Sequence, residues 1–169
     1  MTHHTRLLIE DRELETARSA AAAVVDPEIP VLTIAELGVL RGVERREGEI
    51  VVSLTPTYSG CPATQAIRLA VEATLIEAGL HSARVETVLT PPWTSDDLTA
   101  EGRRKLKELG IAPPAGSTSL RRPFDTEVVA CPRCGSTATV RISEFGSTAC
   151  KALWRCQACR EPFDYFKCH

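Results

Sequence analysis

The chain has 169 residues, of which 43% are apolar, 25% charged and 5% aromatic, and its formal net charge is −2. This length suits one domain, or one domain with a small added module, and the charge gives no electrostatic reason to expect nucleic acid or an anionic membrane as a partner. No apolar run approaches about 18 residues, so no membrane-spanning helix is predicted, and Met1 to Arg12 is polar and mixed in charge, unlike a signal peptide. A cytoplasmic protein is the expectation. His3 and His4 are assigned no role. The seven cysteines of a chain in a reducing compartment need a reason other than disulfides, and metal binding or thiol chemistry supplies one.

The first element is a helix over Ile9–Val25. Leu14, Ala17, Ala21 and Val24 recur at helical spacing, and Ala20 to Ala23 favour helix intrinsically. Pro27 stops it, because the residue before a proline avoids the helical region. After the loop Asp26-Pro27-Glu28-Ile29-Pro30, Thr33 and Glu36 have capping-box spacing, and Gly38 can close a short helical turn. Two strands follow, Val39–Arg45 and Ile50–Thr55, joined at Glu47-Gly48-Glu49 as a hairpin. Pro56 and Gly60 break the chain before a second helix over Pro62–Ala78, whose buried face is Ile67, Ala70, Val71, Thr74 and Leu75. Ala83–Thr90 alternates as a third strand and ends at Pro91-Pro92-Trp93. A third helix spans Ala100–Leu109, with Thr99 as its N-cap and Gly110 as the residue that ends it.

Pro113–Pro123 is rich in Pro, Gly and Ser and reads as a linker. The charge balance changes across it. Residues 1–125 carry 14 basic and 18 acidic groups, a net −4, whereas residues 126–169 carry 6 basic and 4 acidic groups, a net +2. The expected fold class is α+β: a small α/β domain at 1–112 with helices on a short mixed sheet, a linker at 113–125, and a four-cysteine zinc ribbon at 126–169.

The ribbon rests on two Cys-x-x-Cys knuckles, Cys131-Pro132-Arg133-Cys134 and Cys156-Gln157-Ala158-Cys159. Such a turn brings both sulfurs to one side at tetrahedral distance, and two knuckles on neighbouring hairpins close a four-sulfur shell that leaves no place for a catalytic water. Gly135 can take the positive φ that such a turn often needs. The ion is zinc on this reading, though four thiolates also hold iron. Four unligated core cysteines would be a poor alternative, since so short a module has too little core to fold well without a staple. Trp154, Phe163, Tyr165 and Phe166 alternate as strand-core residues, and no basic, aromatic nucleic-acid face is apparent.

Cys61 lies in Thr55-Pro56-Thr57-Tyr58-Ser59-Gly60-Cys61-Pro62, just ahead of the second helix. A helix N-terminus stabilises thiolate, which can ligate a soft metal or attack an electrophile; a small buried residue beside a turn is the equal alternative on chemistry alone. Asp26 and Glu28 are candidates to face the same site, against the plainer reading of surface acids capping a turn. His81 is no partner for Cys61, because it lies at the far end of the helix, roughly 30 Å away at 1.5 Å per residue. Cys150, Cys168 and His169 remain as extra ligands or, preferably, as residues packed against the ribbon.

Asp26-Pro27-Glu28-Ile29-Pro30, Glu36-Leu37-Gly38-Val39 and Thr55–Pro62 resemble the small α/β domain of iron–sulfur assembly factors of the SufT type. Ile142–Ala152 and Glu161–His169, together with Pro91-Pro92-Trp93-Thr94 and Glu101–Leu106, resemble the PaaD family, the small D subunits of bacterial phenylacetyl-CoA epoxidase systems. The resemblance implies a non-catalytic accessory subunit of aerobic phenylacetate catabolism. Its role would be maturation of an iron–sulfur or iron centre in the epoxidase subunits or their iron–sulfur flavin reductase. Cys61 is then the thiol that handles iron or a transient cluster, with Asp26 and Glu28 beside it, and a cluster held by one cysteine per chain would favour a homodimer. The alternatives are a docking subunit of the multicomponent oxygenase and a small electron-transfer protein with iron in the ribbon. Paired Glu-x-x-His helices, flavin or nicotinamide fingerprints and a ferredoxin cysteine run are all missing from the sequence.

Overall fold

The structure, a computed structural model, describes residues 3–114 and 128–167. Most of the expected linker, together with Cys168 and His169, lies outside the described residues. The chain divides into two compact units. The first takes the residues up to Pro56 and Pro62–Pro92; the second takes Thr57–Cys61 and everything from Trp93 on.

In the first unit, α1 (His3–Ala22) leads into the Asp26 loop, then β1 (Leu40–Arg46), β2 (Glu49–Leu54), α2 (Ala63–Glu77) and β3 (Arg84–Thr87). The helix stop and the capping box form as the sequence predicts. Asp26 Oδ1 accepts from the N–H groups of Glu28 and Ile29, both at 2.8 Å. Thr33 N–H donates to Glu36 Oε2 at 2.9 Å while Glu36 N–H donates to Thr33 Oγ1 at 3.1 Å, satisfying both free amide groups. Gly38 closes the turn at φ 77. The hairpin turn is tighter than expected. Arg46 pairs with Glu49, so Glu47 and Gly48 alone make the turn, at φ 52 and 89, a pair of positive values that matches the twist of the flanking strands.

The sheet order is β1-β2-β3, with β1 antiparallel and β3 parallel to β2. The central strand carries Ile50, Val51, Val52 and Leu54, all buried, as expected of a strand covered on both faces. The helix α2 turns Ala63, Ile67, Val71 and Leu75 inward at a regular spacing of four, while Ala70 and Thr74 are half-buried. Both helices pack on this sheet, α1 against β1 and β2, α2 against β3.

The second unit takes up the chain again at Trp93, so by contacts residues 93–112 group with the ribbon. The segment 93–112 holds a 3₁₀ turn (Ser95–Asp97), α3 (Ala100–Glu108) and the two-residue strand β4 (Ile111–Ala112). Thr99 caps α3 by accepting from Gly102 N–H at 3.0 Å, and Gly110 ends it at φ 80. What draws this segment into the second unit is non-local. β4 pairs in parallel with the last strand of the chain, Pro162–Phe166, and Trp93 meets Phe166 edge-on with ring centroids 6.0 Å apart. With β5 at Thr139–Ser143, β6 at Lys151–Cys156 and β7 at Pro162–Phe166, the sheet runs β4-β7-β6-β5.

Candidate metal centre

Each knuckle hangs on a backbone hydrogen bond that the chain repeats. Cys131 N–H donates to Ser136 O at 2.9 Å, and Cys156 N–H donates to Glu161 O at 3.0 Å, the same five-residue reach in both. Gly135 follows the first knuckle at φ 74, and Arg160 holds the matching place in the second at φ 65. The glycine is legible in the sequence; the strained arginine is not. In each knuckle the first cysteine is buried (Cys131, Cys156) and the second is more open (Cys134, Cys159).

The four sulfurs lie within 4.8 Å of one another, and among the described residues no other group of three or more Cys, His, Asp or Glu side chains does so. Cys131 Sγ and Cys159 Sγ are 3.8 Å apart, and Cys134 Sγ and Cys156 Sγ are 3.6 Å apart. A tetrahedral ion bonded to sulfur at about 2.3 Å sets its sulfurs about 3.8 Å apart. Bonded disulfide sulfurs would be about 2.0 Å apart. The spacing therefore fits an ion and excludes a disulfide across either pair.

The electrostatics say why a cation is needed. The Cys159 N–H reaches Cys156 Sγ at 3.4 Å and, with the Ala158 N–H and the neighbouring thiols, lowers the Cys156 thiol to about 6. The Glu161 N–H acts in the same direction on Cys159, but burial and the sulfurs of Cys156, Cys134 and Cys131 outweigh it and push that thiol up to about 12. One thiolate thus forms readily and opposes the next, until a divalent ion reverses the balance.

The other candidates fall elsewhere. Cys61 is half-buried in the Thr57–Cys61 segment of the second unit, with its N–H on Tyr58 O at 3.1 Å. Pro62 gives the following helix no side-chain cap. Asp26 is buried in the first unit, one carboxylate oxygen taken up by its own loop, and Glu28 is part of that loop. Cys150 is buried with Thr148 Oγ1 at 3.0 Å, and it stands outside the four-sulfur group.

Comparison with known proteins distinguishes the same two kinds of module. Residues 14–89 match the family model of an iron–sulfur cluster assembly protein, and residues 115–167 match that of the PaaD zinc beta ribbon domain. A protein of Escherichia coli (strain K12), named as the D subunit of a "Putative 1,2-phenylacetyl-CoA epoxidase", is 52% identical over 145 residues, which is 86% of this chain and 87% of that one. The chain belongs to the PaaD family. Its fold is accordingly the α/β domain with a four-cysteine ribbon that the sequence predicts. A crystal structure of a domain of unknown function, DUF59, from Bacillus anthracis has 25% identity and a TM-score of 0.51, covering 57% of this PaaD-family chain and 92% of the other. No helix among the described residues is long and apolar enough to cross a membrane.

Proposed function

We propose that this protein is a cytoplasmic maturation subunit of a phenylacetyl-CoA epoxidase system, which helps assemble or insert an iron–sulfur or iron centre in a partner and has no catalysis of its own. The observation that carries the reading is a half-buried thiol, Cys61, at the start of a helix without a side-chain cap, within the residues matched to an iron–sulfur cluster assembly protein. A cysteine sulfur is a soft ligand suited to iron. Asp26 and Glu28 accompany Cys61 in this role on the strength of the family resemblance. The ribbon holds zinc as a closed structural site, and a cluster held by one Cys61 per chain draws its remaining ligands from a second copy or from the recipient. The recipients are the epoxidase subunits or the iron–sulfur flavin reductase. Co-expression of Cys61→Ser with these partners, followed by iron analysis and turnover, tests it: the partners lose iron and activity, and normal loading would end the transfer role.

A docking role is the second reading, favoured by Val140 and Ile142, both exposed on the edge strand β5. A pull-down with the epoxidase would then survive Cys61→Ser and be lost with Cys131→Ser. Electron transfer would need iron in the ribbon, and an anaerobic absorbance spectrum with metal analysis separates it. One zinc per chain and no colour leaves maturation and docking.

A further inference from the structure

Three arginines flank the ligand cysteines, and neither the metal centre nor the Cys61 reading uses them. Arg133 lies between Cys131 and Cys134, Arg155 directly precedes Cys156, and Arg160 directly follows Cys159. The four sulfurs lie within 4.8 Å of one another, so the fold gathers these three cations at its metal end from separate stretches of the chain. All three are exposed. No ion pair links any of them to an acid among the described residues, and Glu161 is the lone acid in the two stretches that carry them. The other surface cations of the ribbon differ. Arg141 pairs with Glu144 at 2.9 Å, and Lys167 Nζ donates to Glu144 O at 3.1 Å and stands 4.6 Å from the centre of the Phe145 ring.

The second knuckle keeps its arginine against the preference of the backbone. Arg160 stands at φ 65 where the first knuckle has Gly135 at φ 74. The left-handed region opposes a Cβ, and strain held at one position points to a use for the residue there. Arg155 is placed as well. The strand β6 turns Trp154 and Cys156 into the ribbon core, so Arg155 faces outward, and the register sets it between Val140 and Pro162, both exposed. A guanidinium is shaped to hold two oxygens of a carboxylate or phosphate at once. Protein carboxylates suit this surface better than a nucleic acid does. Trp154, Phe163 and Tyr165 are buried in the core, so they offer a base no face to stack on. The chain's net charge of −2 gives a long polyanion no attraction at a distance, whereas Val140 and Pro162 add apolar contact for a peptide.

We propose that Arg133, Arg155 and Arg160 form a docking surface at the metal end of the ribbon for an acidic segment of a protein partner. The cage gathers the three guanidinium groups, and each offers its donors to a carboxylate from outside. The surface needs neither Cys61 nor the role assigned to that thiol.

The test uses the full chain with its metal and a short fluorescein-labelled peptide rich in Glu, titrated by anisotropy at low and at physiological salt. The same peptide with Gln for Glu, and a single-stranded DNA of equal charge, are the comparisons. The Glu peptide binds, more weakly as salt rises; the Gln peptide does not bind, and the DNA binds less tightly. Arg133→Gln, Arg155→Gln and Arg160→Gln each weaken binding by about threefold, and the triple variant by more than about tenfold, with metal content unchanged. Arg141→Gln binds as wild type does, because that arginine is already paired with Glu144. Arg160→Gly is the sharpest variant. It melts higher than wild type, relieved of strain, yet binds the Glu peptide more weakly, a combination that misfolding cannot produce. The proposal fails if the Glu peptide does not bind, if the arginine variants bind it as well as wild type does, or if the DNA binds more tightly than the peptide. It fails also if the variants lose metal, since the arginines would then serve only to offset the negative charge of four thiolates around a divalent ion.

Discussion

In the first unit Val51, Val52, Leu54, Val71 and Leu75 are almost wholly withdrawn from water, and the turns around them are closed by side chains or glycines. In the second, the knuckles hold four thiols with sulfur–sulfur distances of 3.8 and 3.6 Å across the two pairs, where each ionisation opposes the next. The first is held by apolar burial and local hydrogen bonds. The second has its own core of Trp154, Phe163 and Tyr165, but its centre is a cage that repels itself until a cation enters. Loss of metal should therefore separate the behaviour of two units that one chain ties together.

The largest effect is expected from breaking the cage. Structural zinc contributes on the order of 10 kcal/mol in small modules, so chelation, or Cys131→Ser, should collapse the second unit. In an amide NMR spectrum the resonances of β6 and β7 lose dispersion while those of β2 and α2 keep theirs; joint collapse would mean that the two units do not fold separately. Next is the opposite experiment. Leu75→Ala should cost the first unit about 2–5 kcal/mol, read as an earlier denaturant transition, with metal content unchanged. The third effect is on pH. The Cys159 thiol stands at about 12 without metal, so it is protonated at neutral pH and metal entry must expel that proton. Affinity then rises with pH, by about tenfold per unit for each proton released, in competition with a chromophoric chelator between about pH 6 and 8. A flat profile would break the four-thiolate assignment. The smallest effect compares the two knuckles. Arg160 adopts the left-handed conformation that Gly135 adopts freely, so Arg160→Gly should stabilise the metal-loaded unit by up to about 1 kcal/mol and Gly135→Ala should cost about as much. Thermal melts would show it.

Local features are legible in the sequence because their signals are local. Pro27 ends a helix, Thr33 and Glu36 cap a turn, Thr99 caps α3, and Cys-x-x-Cys twice over marks the four thiols that the fold gathers. What is not legible depends on partners distant in sequence. Ile111–Ala112 is too short for any periodicity, and only its pairing with β7 makes it a strand. The same pairing, with Trp93 on Phe166, groups residues 93–112 with the ribbon by contacts. Lys151 escapes notice for a similar reason. Alternation along β6 puts it on the face of exposed Arg155, yet it is buried. For Cys61 the sequence locates a helix start correctly but cannot tell which unit its loop joins.

That loop has a practical consequence. The backbone changes unit at 56–57, at 61–62 and again at 92–93, so no single cut divides this protein into two complete halves. A gene fragment ending at Pro92 would carry residues 57–61 without the rest of their unit, and a fragment starting at Trp93 would lack them. Shuffling such modules by simple fusion would leave this cysteine stranded, which ties the inheritance of the α/β domain to that of its ribbon.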